Sequence, residues 1–150
     1  MRFSEWIMYD ITCDNARFDI AAIHSFLAQS YWSPGVPRAV IERAIANSLC
    51  FGVLCDSQQV GFARVVTDKA TFAYLSDVYV LPEHRGKGLA RRLMEEIMQH
   101  VDLQGLRRML LTTRDAHALY AEFGFRPLAT PERMMEVHNL YAYSGPQPAL

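Results

Sequence analysis

The residues of this chain with chemistry to offer gather in residues 77–98, DVYVLPEHRGKGLARRLMEEIM. Val78-Tyr79-Val80-Leu81 is a β-prone run that meets Pro82. A short polar turn containing Gly86 and Gly88 follows, and then a patterned helix starts. A strand feeding a glycine turn that opens a helix makes an anion site. The first N–H groups of a helix have no partner within it, and the helix dipole adds partial positive charge there. Glycines let the backbone come close to a ligand because they have no Cβ. The segment predicts a phosphate-bearing ligand, although glycines before a helix also serve as plain punctuation. Neither common nucleotide fingerprint fits. No third glycine stands at the dinucleotide spacing, and Lys87 is followed by Gly88 rather than by Ser or Thr.

The elements that must position this turn can be traced along the chain. Residues 6–12 read as a first strand. Residues 19–28 carry Ile20, Ile23 and Leu27 at helical spacing, with Asp19 as N-cap. The stretch 30–37, SYWSPGVP, is loop chemistry, and Pro37 opens a second helix through Ile41, Ala44, Ile45 and Leu49. Residues 49–54 and 59–67 are apolar, β-prone runs joined by Asp56-Ser57-Gln58, the pattern of an antiparallel hairpin. Residues 71–81 form a third long strand. The helix after the glycine turn repeats Leu89, Leu93, Ile97 and Val101, with Ala90, Met94 and Met98 beside them. A strand over 108–113, a short helix over 115–123 closed by Gly124, and short strands over 125–128 and 134–138 complete the order. Residues 1–143 are expected to form a single domain, with 144–150 as a loose tail.

Arg85-x-x-Gly88-x-Ala90, in its Val-x-Val-x-Pro-Glu-x-Arg-Gly-Lys-Gly context, resembles the acetyl-CoA signature of the GNAT superfamily of N-acetyltransferases. The element order is similar to that fold over nearly the whole chain: a mixed α/β domain with a central, mostly antiparallel sheet and helices on both faces. The resemblance implies that main-chain N–H groups from Arg85 through Gly86, Lys87, Gly88 and Leu89 to Ala90 cradle the pyrophosphate of acetyl-CoA. It further implies that Val78, Tyr79 and Val80 lie along the pantetheine arm, whose amides pair with the strand like an added strand. Lys87, Arg91 and Arg92 could help neutralise phosphates or could form a solvated helix face.

Downstream, Leu119-Tyr120-Ala121-Glu122-Phe123-Gly124-Phe125 resembles the family's Leu-Tyr-x-x-x-Gly-Phe segment. The resemblance gives Tyr120 the role of acid to the departing thiolate. A phenol with pKa near 10 stays protonated at neutral pH and can donate as a thiolate leaves. The family's frequent Asn, seven residues before that tyrosine, is Thr113 in this chain. The acceptor must react as a neutral amine, and deprotonating a lysine-like amine at pH 7 costs roughly 4.6 kcal/mol. Asp77 is a candidate base, directly or through a water, or a binder of a cationic substrate. By alternation it shares the face of Tyr79, and a structural pairing with Arg64 is open to it. His117 is a second candidate base or an exposed helix histidine. Tyr31 and Trp32, on the loop between the first two helices, are expected to line the acceptor pocket or to close the core.

Composition excludes several classes. The chain has 150 residues, 51% hydrophobic and 21% charged, with a formal net charge of −1. Nucleic-acid binding domains are usually basic, so DNA or RNA is not expected as a partner. No apolar run approaches the roughly 18 residues that span a bilayer. Arg2, Glu5, Asp10, Asp14 and Arg17 interrupt any secretory core, so a cytoplasmic protein is expected. Cys13, Cys50 and Cys55 have no metal-ligand spacing and read as reduced core thiols; no metal is expected. The expected function is acetyl transfer from acetyl-CoA, as cosubstrate, to a primary amine of an unidentified, small-molecule acceptor by direct transfer in a ternary complex. The alternative is a non-catalytic acyl-CoA-binding or sensing module. A macromolecular acceptor and a homodimer both stay open.

Overall fold

Burial of these apolar faces produces a five-stranded sheet in the order β1-β2-β3-β4-β5, covered by helices on both sides in a computed structural model that describes residues 8–143. Trp6 of the predicted first strand and the tail 144–150 lie outside the described residues. β1 (Tyr9–Thr12), β2 (Leu49–Cys55), β3 (Gln58–Thr67) and β4 (Phe72–Val80) pair antiparallel in succession, and β5 (Arg108–Leu111) joins β4 in parallel. The β2–β3 hairpin turns on Asp56 and Ser57, both at positive φ (48° and 70°), the geometry that matches the right-handed twist of the flanking strands.

α1 (Ile20–Leu27) is capped by Asp19, whose Oδ1 accepts from the Ala22 N–H at 3.0 Å. α2 (Arg38–Ala46) follows Pro37. Ile23, Leu27, Ile41 and Ile45 from these two helices pack with Phe18, Cys50, Phe62 and Tyr79 on one face of the sheet. α3 (Leu89–Gln99) covers the other face with Leu89, Leu93, Met94 and Ile97, each 2% exposed or less, against Phe51, Val53, Val65 and Leu75. The helix stops before Val101, which sits in a 3-10 turn and is 81% exposed, so the four-residue repeat outruns the buried face.

Three expectations are corrected. α4 (His117–Ala121) is shorter than predicted, ending three residues before Gly124, which takes φ +93°. Residues 125–128 and 134–138 form no strand: neither has a ladder partner in the described sheet, and a β-prone segment without a partner edge stays irregular. Cys13 is exposed just past the end of β1, whereas Cys50 is buried and Cys55 half-buried.

Candidate active site

β4 positions the site, and two irregularities in it matter. Its ladder with β5 ends at Leu75↔Leu111, so residues 76–80 keep their partner on the β3 side only and present a free main-chain edge on the other. A bulge also interrupts the β3–β4 ladder. Arg64 faces Ser76 and Phe62 faces Tyr79, which leaves Asp77 and Val78 together opposite Ala63, with Asp77 at φ +55°. Ala73 and Leu75 point to the α3 core. Strict alternation would send residues 77 and 79 there as well, but the bulge turns Asp77 and Tyr79 toward α1 and α2. A single extra residue thereby places a carboxylate on the α1–α2 side of the sheet.

Beyond β4 the chain makes a 3-10 turn (Pro82–His84), then extends through Arg85 to Gly86 (φ +75°) and Gly88 (φ +77°), which is the N-cap of α3. No side chain caps that helix, so its first N–H groups are available to an anion. A Cβ on Gly86 would meet no protein atom within 4 Å, so the loop's outer face is open while its φ demands glycine. The basic side chains around the loop are engaged with protein. Arg85 Nε donates to Val80 O at 2.8 Å and pins the loop to the strand end. Lys87 Nζ donates to Tyr9 Oη at 3.3 Å, and Tyr9 Oη is 2.8 Å from His84 Nδ1. Arg92 donates to Tyr9 O at 3.1 Å, and Arg91 forms a forked pair with Glu122 that ties α3 to the segment after α4. The main chain of the loop, rather than its side-chain cations, is what the loop leaves available to an anion.

Loop and strand edge open into one cleft of about 460 Å³, lined by Val78, Tyr79, Val80, Arg85 and Ala90 on one side. Ala116, Leu119 and Tyr120 of the α4 region close it, and Phe26, Tyr31 and Trp32 form its far end. Tyr120 is 9% exposed, and burial pushes its phenol above the ordinary value, with the Tyr31 phenol and the Asp115 carboxylate adding in the same direction. It therefore stays protonated throughout the neutral range. Tyr79 contributes its backbone to the edge, but its ring stacks on Phe26 at 3.8 Å and is buried.

At the far end, Trp32 Nε1 donates to Asp77 Oδ1 at 2.9 Å, and Arg64 Nε donates to Asp77 Oδ2 at 2.8 Å. Arg64 is held in turn by Ser48 Oγ at 3.2 Å. Asp77 is only 8% exposed, and both of its oxygens accept charge-assisted or indole hydrogen bonds. Tyr31 packs edge-on against Trp32 at 5.1 Å, and the Arg114 guanidinium lies 3.9 Å over the Tyr31 ring. His117 is exposed and does not line the cleft. Thr113 Oγ1 accepts from the Ala116 N–H at 3.0 Å, so it holds the entry to α4.

The structure thus brings Tyr31, Trp32, Val78, Tyr79, Val80, Arg85, Ala90 and Tyr120 to one cleft, with Asp77 immediately behind Trp32. Sequence reasoning missed Phe26 and Asp115, which also line it. Phe26, one turn after Ile23, lies at the margin of the Ile20, Ile23, Leu27 stripe, where it packs on that core and also reaches the cleft. Asp115 carried no spacing signal. It pairs loosely with Arg114 at 3.9 Å.

Fold and site together define a mixed-sheet domain with an uncapped helix start after a glycine loop, a free strand edge and a buried phenol on one cleft. The chain belongs to the Acetyltransferase (GNAT) family, whose profile matches residues 16–125. It is 31% identical over 137 residues to a candidate acetyltransferase of Gibberella zeae, covering 76% of each chain. Among solved structures it is similar to a candidate GNAT-family acetyltransferase from Xanthomonas campestris pv. campestris, at 51% identity and TM-score 0.89, covering 91% of this chain and 97% of that one. It shares the fold of a candidate acetyltransferase from Clostridium acetobutylicum solved with acetyl-CoA, at 14% identity and TM-score 0.63, covering 90% and 97%.

Proposed function

We propose that this protein is an N-acetyltransferase that moves the acetyl group of acetyl-CoA to a primary amine by direct transfer in a ternary complex. The observation that carries the reading is the continuity of the cleft. One passage joins Arg85 and Ala90 at the two ends of the glycine loop, the free edge of β4, Tyr120 and the aromatic corner at Trp32. The loop N–H groups hold the pyrophosphate and the edge of residues 76–80 pairs with the pantetheine amides, which sets the thioester beside Tyr120. The amine nitrogen attacks the thioester carbonyl, the C–S bond breaks, and the Tyr120 hydroxyl gives its proton to the departing sulfur.

A direct route is supported by the thiols. No cysteine lines the cleft, and burial pushes the Cys50 thiol up to about 12, which leaves it a poor nucleophile. Full engagement of both Asp77 oxygens supports a positioning role through Trp32, with proton removal from the amine passing to a water or to Asp115 at the cleft. The acceptor is a small amine whose body packs on Tyr31 and Trp32.

The test is acetyl-CoA consumption against a broad amine panel, with mass spectrometry of the products. Acetylated amine with no acetylated protein intermediate is the expected result. Tight CoA binding with no turnover across the panel points instead to an acyl-CoA-sensing module, and an acetyl-cysteine adduct that chases into product overturns direct transfer.

A further inference from the structure

β1 reaches the glycine loop through one residue. Tyr9 is 4% exposed and packs in the α3 core, yet its hydroxyl and its carbonyl both bond to the segment after β4. Tyr9 Oη lies 2.8 Å from Nδ1 of His84, in the 3-10 turn, and accepts at 3.3 Å from Nζ of Lys87, between the two glycines. Tyr9 O accepts at 3.1 Å from Arg92, in the first turn of α3. The His84 ring stands edge-on to the Tyr9 ring with centroids 5.7 Å apart, and Lys87 Nζ is 5.8 Å from the Tyr9 centroid. One residue thus touches the turn before the loop, the loop itself and the helix after it.

The hydrogen-bond roles follow from the donors. A lysine ammonium only donates, so Tyr9 Oη accepts from Lys87 and is free to give its own proton to His84. We assign His84 Nδ1 as the acceptor, with the ring proton on Nε2. Lys87, Tyr9 and His84 then form a chain of bonds in which each polarises the next. His84 and Lys87 bracket Arg85 and Gly86, and Arg85 Nε on Val80 O ties the same stretch to β4. These ties matter because glycine has more backbone freedom to lose than any other residue. A loop left to its own torsions would order its N–H groups only as a ligand arrived, at a cost to affinity. A tied loop meets that cost on folding.

We propose that Tyr9 is a positioning residue for acetyl-CoA: its hydroxyl, through His84 and Lys87, holds the glycine loop in the conformation whose main-chain N–H groups receive the pyrophosphate. The inference rests on the acetyl-CoA reading above and adds to it a determinant on β1, 75 residues before the turn it holds. Tyr9 does not line the cleft, so it acts through the loop rather than by touching the ligand.

Hydrogen exchange of the ligand-free protein and calorimetric titration with CoA test this in Tyr9→Phe, which keeps the buried ring and removes only the hydroxyl. Faster amide exchange is expected at residues 84–90, with the β2–β3 ladder unchanged. CoA Kd is expected to rise about fivefold, the net worth of one hydrogen bond. His84→Ala is expected to raise Kd by the same factor, and Tyr9→Phe/His84→Ala by no more than either alone, because both remove one shared bond. His84→Asn, whose side-chain oxygen stands near the position of Nδ1, is expected to bind CoA as the native protein does. Unchanged CoA Kd in Tyr9→Phe, additive losses in the double variant, or a His84→Asn as weak as His84→Ala overturns the positioning role. Exchange quickened across the β2–β3 ladder as well makes Tyr9 a core residue only and overturns it too. A native protein that takes up no CoA sinks the acetyl-CoA reading and this inference with it, whereas native binding that Tyr9→Phe leaves unaltered sinks this inference alone.

Discussion

Arg85 and Ala90 of the 81–90 loop and Trp32 of the Trp32–Asp77–Arg64 corner line the same cleft, yet the two regions are made of different chemical material. In the loop, the groups left available are main-chain ones. Two glycines at positive φ and an uncapped helix start present N–H groups, while Arg85, Lys87, Arg91 and Arg92 are bonded to protein. In the corner, everything rests on side chains brought from distant elements: Trp32 from the α1–α2 loop, Arg64 from β3, Asp77 from the bulge of β4. A main-chain cradle depends on local conformation and is insensitive to most side-chain changes. A side-chain corner depends on tertiary placement, so it can be altered without disturbing the cradle. Tyr120 stands where the two halves meet.

The sharpest way to break this division is at the junction. Tyr120→Phe is expected to lower kcat on the order of 100-fold with CoA affinity unchanged, measured by steady-state kinetics and calorimetric CoA titration. Equal losses in both make Tyr120 a binding residue and erase its place between the halves. Next is the loop itself. Gly86→Val forces a β-branched residue to φ +75°, a cost of about 1–2 kcal/mol, and puts a side chain on the open face of the cradle. CoA Kd is expected to rise roughly tenfold while the acceptor KM holds.

The corner is expected to respond in the opposite sense. Trp32→Phe removes the indole hydrogen bond to a carboxylate, worth about 1.5–3 kcal/mol, and the acceptor KM is expected to rise about tenfold with CoA Kd constant. If CoA Kd moves instead, the two regions are not separable. The smallest effect lies outside the cleft. Burial holds the Cys50 thiol protonated to about 12, against 9.0 in the exposed chain. The stability it contributes is fully present below about 9 and is lost as pH rises toward 12, since the unfolded chain releases its proton first. Urea denaturation at pH 8 and pH 10.5 is expected to show a shallower alkaline decline in Cys50→Ala than in the native protein.

Much of the loop could be read from the chain because its determinants are local. Gly86, Gly88 and the Leu89, Leu93, Ile97 repeat fix the strand–turn–helix within a few residues, and α3 buries the face they announce. The Asp56-Ser57 turn and the Asp19 cap were legible for the same reason. The corner was legible only in part. Alternation gave Asp77 the face of Tyr79, but its joint hold on Trp32 and Arg64 requires the bulge opposite Ala63, which no residue pattern announces. Phe26 and Asp115 were missed because a cleft-lining role is defined by what lies across the gap, not by spacing within a segment.

The C-terminal third shows the limit most clearly. Residues 125–128 and 134–138 have strand composition, and within one chain they remain unpaired, because a strand is a relation between two segments and only tertiary or quaternary contact supplies the second. The sequence by itself determined the glycine cradle, the two helix-covered faces of the sheet and the family resemblance, all products of short-range pattern. The tertiary structure alone decided the end of the β4–β5 ladder at Leu75, the bulge that aims Asp77 at Trp32, and the meeting of Tyr120 with both halves of the cleft. Those depend on register and on side chains more than forty residues apart in the chain, where burial and hydrogen bonding across the sheet override any local preference.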